Sequence, residues 1–433
     1  MANPSIKAEG VHELLIGNPT PQHLNNLALA VARVVSNVVS NEAFTGKQIY
    51  SDDLDNACLY LSKNVSDSSI NRQISSKKKF PVIVATELYA FGGHSAVIEE
   101  FASMHDQSMV VLTGFFPGNP HTIHSRLTVK PSKFSALRTL QLAAAPPVEM
   151  IRELRSFCNT YASEVFLVNH HHDVVAVAAL AQGLSCPTFF IHHSDHRLCL
   201  GATLGEFLHV DLAKHMYDFC SQHLNDQGIF LLPQTMKDFG RSPHVTGAIR
   251  GTVTSGSSNK FYWEGEISLG RVITAALRNY SKNHFHIGDL DEKQLAQIRH
   301  HLDMAGIDGT RFVHVAQADS LWQVINNEPI TLAIGSAPMH GLRTSIEYQG
   351  AGLPVLFFDQ EQNSLLSETQ MYASEELCWQ NIEQLVSLFE LVDRSHEEFS
   401  DRARKKFLDE NRTDLLQPAI SEALQNWKVI TNE

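Results

Sequence analysis

The residues best suited to chemistry lie between 335 and 358, in the run Gly335-Ser-Ala-Pro-Met-His340-Gly341-Leu-Arg-Thr344-Ser345-Ile-Glu347-Tyr-Gln-Gly350-Ala-Gly352-Leu-Pro354-Val-Leu-Phe-Phe358. An apolar strand ends at Gly335, a loop of small residues follows, and a helix opens with Thr344 and Ser345 in its first turn. The N–H groups of a first helical turn lack partners within the helix and carry partial positive charge, which suits a phosphate. Hydroxyls in the same turn add hydrogen bonds. Glu347 lies three residues beyond Thr344 on nearly the same face, where its carboxylate can accept from ribose hydroxyls. An ordinary β-α-β crossover with a capped helix would use the same residue types, because Ser and Thr are common caps.

The second chemical feature is histidine, present 23 times. It clusters in His170-His171-His172-Asp173 and in His192-His193-Ser194-Asp195-His196. Neighbouring residues on a strand point to opposite faces, so neither cluster alone supplies three convergent metal ligands. No bound metal is expected. A histidine near neutral pKa at a strand end suits general-base work, and His94, His193 and Asp195 are the candidates.

Composition narrows the partners. A net charge of −13 argues against a nucleic-acid binder, which needs basic surface to displace counterions. The dense basic run Lys77-Lys78-Lys79 reads as a solvated loop. Six scattered cysteines without a C-x-x-C pair fit reduced thiols and a cytoplasmic location. The start, MANPSIKAEGVHELL, lacks the apolar run of a signal peptide. No stretch reaches about 18 consecutive apolar residues, so membrane contact, if any, is peripheral.

Along the 433 residues, apolar strands alternate with helices. Strands are expected at Phe80–Thr86, Ser108–Thr113, Glu164–Asn169, Pro187–His192, Val210–Leu212 and Gly228–Pro233. After an interruption at Pro233, Gly240, Pro243 and Gly247, a second series runs through Gly251–Gly256, Asn283–Gly288, Arg311–Val315, Thr331–Gly335 and Val355–Phe358. This pattern implies an α/β chain with doubly wound parallel sheets, whose ligands sit beyond the carboxyl ends of the strands. Four parts are expected: a helical segment over 1–75, a Rossmann-like domain over 76–245, a second over 246–392, and a helical tail over 393–433.

The pattern H-G-x-x-T-S-x-E-x-x-G-x-G-L-P from His340 to Pro354 resembles the donor-binding segment of nucleotide-sugar glycosyltransferases with the GT-B fold. The resemblance extends more weakly from Thr252 to Asp409. It implies two Rossmann-like domains facing a cleft, the second holding the donor. Thr344 and Ser345 would take the diphosphate, Glu347 the ribose, and Gly341 the close backbone approach, with His340 in the same loop. Thr254-Ser255-Gly256-Ser257-Ser258-Asn259-Lys260 resembles the first strand and loop of that domain, so Ser258 and Lys260 join the donor set. The strand carrying His314 lies where the family brackets the base. Phe91-Gly92-Gly93-His94 resembles the glycine loop of the first domain. The implied reaction transfers a sugar from a nucleotide-diphosphate donor to a hydroxyl of a glycan, lipid-linked or protein acceptor, without cofactor or metal. A sugar-nucleotide epimerase, a non-catalytic partner of the same fold and a metal-binding protein are the alternatives.

Overall fold

The computed structural model describes residues 11–66, 78–89, 93–116, 136–193, 196–224, 228–247, 249–318, 320–359 and 371–431. They form two units, one of 1–232 with 417–433 and the other of 233–416. The first unit holds β1 (Phe80–Ala85), β2 (Met109–Leu112), β3 (Thr139–Gln141), β4 (Ala162–Val168), β5 (Thr188–His192), β6 (Leu208–Asp211) and β7 (Ile229–Leu231). Their order is β3-β2-β1-β4-β5-β6-β7, with every pairing parallel. The second unit holds β8 (Gly251–Ser255), β9 (Asn283–Ile287), β10 (Phe312–Val315), β11 (Leu332–Ile334), β12 (Val355–Phe358) and β13 (Cys378–Trp379). It repeats the plan as β10-β9-β8-β11-β12-β13, again all parallel.

Both sheets therefore grow outward from their first strand in one direction, then return and grow in the other. The reversal falls between β1 and β4 in one unit and between β8 and β11 in the other. Crossovers leave these strand ends in opposite directions, which opens a crevice at the carboxyl edge. The strands beside each crevice read as apolar runs because both sheet faces are covered. Val82 to Ala85 and Val165 to Val168 are buried throughout.

Residues 11–66 are not an appended segment, as the sequence suggested. The helix Pro21–Val39 buries Leu24, Leu27, Ala28, Val31 and Val35, a stripe at helical spacing, into the core that also contains Val82, Val84 and Val165. Its polar outer face concealed that role. The tail is also divided: the helix Ile382–Glu410 belongs to the second unit, while residues from Gln417 onward join the first. The division after Leu232 lies earlier than the expected 245.

One buried cation ties the helical layer together. Arg155, on the helix Pro147–Tyr161, is 3% exposed. It donates from Nη2 to the carbonyls of Ser62 and Ala178 at 3.0 and 3.1 Å, from Nη1 to Val65 at 3.0 Å, and from Nε to Ala179 at 3.0 Å. These acceptors close the ends of the helices Asp52–Asn64 and Val174–Leu180, where terminal carbonyls have no helical partners. Arg155→Met is expected to lower stability in urea unfolding by about 3 kcal/mol, because it strands several buried acceptors. An unchanged midpoint would show that these carbonyls find other donors.

Candidate functional site

In the second unit the loops after β8 and β11 meet. Gly256 ends β8 with φ of 147°, and Gly288 ends β9 with φ of 151°. A Cβ on Gly288 would lie 2.1 Å from the Gly256 carbonyl oxygen, so the two backbones touch only because Gly288 has no side chain. The loop then turns through the short helix Ser258–Lys260 and is stitched to the β11 loop. The Tyr262 N–H donates to the Ala337 carbonyl at 2.8 Å, and Phe261 bridges to Pro338.

That stitching delivers Lys260 to the helix Leu342–Gly350. Lys260 Nζ is 3.5 Å from the His340 carbonyl oxygen. A Cβ at Gly341 would meet Lys260 Nζ at 3.0 Å and Thr344 Oγ1 at 3.1 Å. Lys260, Gly341 and Thr344 thus share one small space at the start of a helix, at the sheet's reversal point. His314 extends the strip, with Nε2 2.8 Å from the Gly288 carbonyl and its ring stacked on His286. Ser258 sits in the Lys260 turn, where its carbonyl accepts from the Trp263 indole at 2.9 Å.

Three of the expected donor residues have internal duties. His340 is buried; its Nε2 donates to the Phe358 carbonyl at 2.7 Å, and its Nδ1 accepts from the Tyr372 hydroxyl at 2.9 Å. Ser345 is buried too, and its hydroxyl donates to the Gly341 carbonyl or to Tyr372. Together they fix the loop in which Gly341 lies. Glu347 is half-buried and accepts from the Trp322 N–H at 3.0 Å, holding the start of the helix Leu321–Asn327. Arg343, which no local pattern singles out, anchors the same turn through the Thr235 carbonyl at 2.9 Å.

The first unit's reversal point is lined by rings. His94 lies at the start of the helix Gly93–Ser103, with its ring centroid 4.8 Å from that of His170 and 4.9 Å from that of His193. Its Nε2 donates to the Val168 carbonyl at 3.1 Å, which leaves the Nδ1 lone pair without a partner among the described residues. Tyr89 Oη is 2.7 Å from His170 Nε2. His170 comes from the histidine cluster noted in the sequence, and Tyr89 is an addition that only the geometry supplies. Burial, and then the charges of His193 and His170, push the His94 pKa far down, so its ring is neutral at pH 7. Asp173 is structural. It caps the helix Val174–Leu180 and accepts from Thr86 at 2.6 Å and Thr113 at 2.5 Å. Asp195 and Gly92 lie outside the described residues.

No family model matches the chain, and no curated protein matches it in sequence. Solved structures do match. The HepE protein of Anabaena, solved with UDP and glucose, gives a TM-score of 0.55 at 12% identity over 80% of this chain and 99% of that one. The lipopolysaccharide outer core galactosyltransferase WaaB gives 0.57 at 13% identity over the same shares. The chain has the GT-B fold. The O-GlcNAc transferase of Thermobaculum terrenum gives 0.53 at 10% identity over 97% of this chain and 80% of that one. Within the GT-B fold, the sheet orders and the loops after β8 and β11 occupy the two Rossmann-like units expected from the sequence.

The histidine cluster carries a pH signature. Burial, with the charges of His193 and His172, lowers the His170 pKa to about 3, and Glu87 at 3.9 Å does not reverse this. An unfolded imidazole titrates near ~6.5. As pH falls from there toward 3, the unfolded chain takes a proton that the folded chain refuses, so stability present above that window is lost within it. His170→Gln is expected to make the stability–pH slope shallower by about 1.4 kcal/mol per pH unit between pH 5.5 and 4, read by urea unfolding. Parallel slopes would mean that His170 is protonated in the native state.

Proposed function

We propose that the protein transfers a glycosyl group from a nucleoside diphosphate sugar to an acceptor hydroxyl. The observation that carries this is the meeting of Lys260, Gly341 and Thr344 at the reversal point between β8 and β11. Cleavage of a glycosyl donor builds negative charge on the departing diphosphate. An ammonium and the first-turn N–H groups of a helix, fixed in advance, stabilise that charge without reorganising. Lys260 and the start of the helix Leu342–Gly350 take that role, so no metal ion is needed at the diphosphate. Thr344 adds a hydroxyl to the phosphate, with Ser258 at the rim and His340 and Ser345 holding the loop. Glu347 takes the ribose, and His314 borders the base.

In the first unit, a neutral imidazole has the protonation state of a general base toward an acceptor hydroxyl. His94 offers an unpartnered Nδ1, with His193 and Asp195 as the other candidates. Direct attack by an acceptor activated in this way inverts the anomeric centre. A glycan, a lipid-linked sugar or a protein would supply the hydroxyl, in the cytoplasm or at a membrane's edge. Among the described residues no helix is long and apolar enough to cross a membrane.

A screen of nucleoside diphosphate sugars without acceptor tests this, because such enzymes slowly transfer the sugar to water. One donor should release its diphosphate, and Lys260→Ala and Thr344→Ala should each cut that turnover about 100-fold. Release that survives both substitutions would remove the diphosphate from this loop. Conversion of the donor to an epimer would replace transfer with epimerisation.

A further inference from the structure

Four metal-ligating side chains converge in the first unit, away from the rings at its reversal point. β5 and β6 pair in parallel with His192 opposite Asp211. His209 is two residues before Asp211 and so lies on the same sheet face. The helix Lys214–His223, which follows β6 directly, brings Cys220 over that face.

The distances are short and mutually consistent. His192 Nδ1 is 3.0 Å and His209 Nε2 is 3.3 Å from Asp211 Oδ1. Cys220 Sγ is 3.6 Å from His192 Nδ1 and 3.6 Å from Asp211 Oδ1. All four ligand atoms lie within 4.8 Å of one another, and none of the four residues is more than 4% exposed. A tetrahedral zinc ion, with nitrogen and oxygen at about 2.1 Å and sulfur at about 2.3 Å, sets its ligands about 3.3–3.6 Å apart.

The protons point the same way. His209 Nδ1 is 3.1 Å from the Ala202 carbonyl, which can only accept, so Nδ1 carries the hydrogen. Nε2 of the same ring is directed at Asp211 Oδ1, 3.3 Å away. Asp211 Oδ2 has no hydrogen-bond partner among the described residues. A buried carboxylate oxygen without a partner thus lies in a dry core, beside a thiol that ionises on binding metal. A divalent cation at the centre of the four ligand atoms satisfies that carboxylate, and the Nδ1–H to Ala202 bond is the outer contact that orients a metal-bound histidine.

We propose that His192, His209, Asp211 and Cys220 bind a zinc ion that pins the helix Lys214–His223 to β5 and β6. Four protein ligands and full burial leave no open position, which marks the ion as structural rather than reactive. Soft thiolate with imidazole favours zinc over calcium or magnesium. Adjacent histidines on a strand diverge and cannot form such a site. This set escapes that limit by taking one histidine from its cluster and the other ligands from β6 and a helix.

The test uses the full chain purified without a metal-affinity tag. Elemental analysis should find one zinc per chain, and Cys220→Ser and Asp211→Asn should each lose nearly all of it. His170→Gln should keep it. The wild-type chain loaded with cobalt should show the near-ultraviolet thiolate charge-transfer band and the strong visible bands of a tetrahedral site, a readout independent of how the variants fold. Chelation should lower Tm and added zinc should restore it. A wild-type chain that carries no stoichiometric metal even after zinc incubation and desalting overturns the proposal. Metal retained by Cys220→Ser and lost by His170→Gln overturns it as well.

Discussion

The contact between Gly256 and Gly288 is the constraint on which the second unit's site depends. Beyond that contact, the β8 loop pairs with the β11 loop through Tyr262 and Phe261. From that position Lys260 reaches the start of the helix Leu342–Gly350. Gly341 then keeps the space open, since a Cβ there would press on both Lys260 and Thr344. The buried chain from Ser345 through Tyr372 and His340 to the Phe358 carbonyl holds the loop from beneath. A lysine is thus held beside a helix start at a strand-end crevice, the arrangement that the proposed diphosphate site requires.

Histidine has three different physical states in this chain, and the distinction rests on what each ring nitrogen faces. His284 is satisfied: Nδ1 donates to Thr252 at 2.8 Å, and Nε2 accepts from Thr254 at 2.9 Å. Thr254 in turn accepts from His286 Nδ1 at 2.9 Å. Burial and its neighbour His286 hold the His284 pKa near 3, so it behaves as a neutral core residue that cross-links strands. His94 and His170 are neutral as well, but they lie at the first unit's reversal point and carry an unpartnered Nδ1 or a tyrosine partner. His192 and His209 form the third class, gathered around a carboxylate and a thiol.

The fold was legible where the chain must bury both sheet faces. Each long apolar run became a strand within a residue or two, because nothing but a covered parallel sheet accommodates such runs. β3 and β13 were missed for the opposite reason: Thr139–Gln141 is an exposed edge, and Cys378–Trp379 is two residues long. A helix start leaves a local signature at Thr344, whereas Gly341 and Lys260 entered only through the family resemblance. Duties assigned by tertiary contact leave no local signature. Nothing local reveals that Glu347 supports a neighbouring helix, that Arg343 reaches Thr235, or that residues 11–66 complete a core. The His192, His209, Asp211 and Cys220 set was invisible for the same reason, since strand register and a helix bring it together.

The most direct measurement is hydrogen–deuterium exchange of the whole chain with and without a panel of nucleoside diphosphates. One member of the panel should slow exchange in residues 256–262 and 337–345, with little change in the edge strand Thr139–Gln141. Protection confined to other segments, or none with any nucleoside diphosphate, would contradict a diphosphate site at the β8–β11 reversal point.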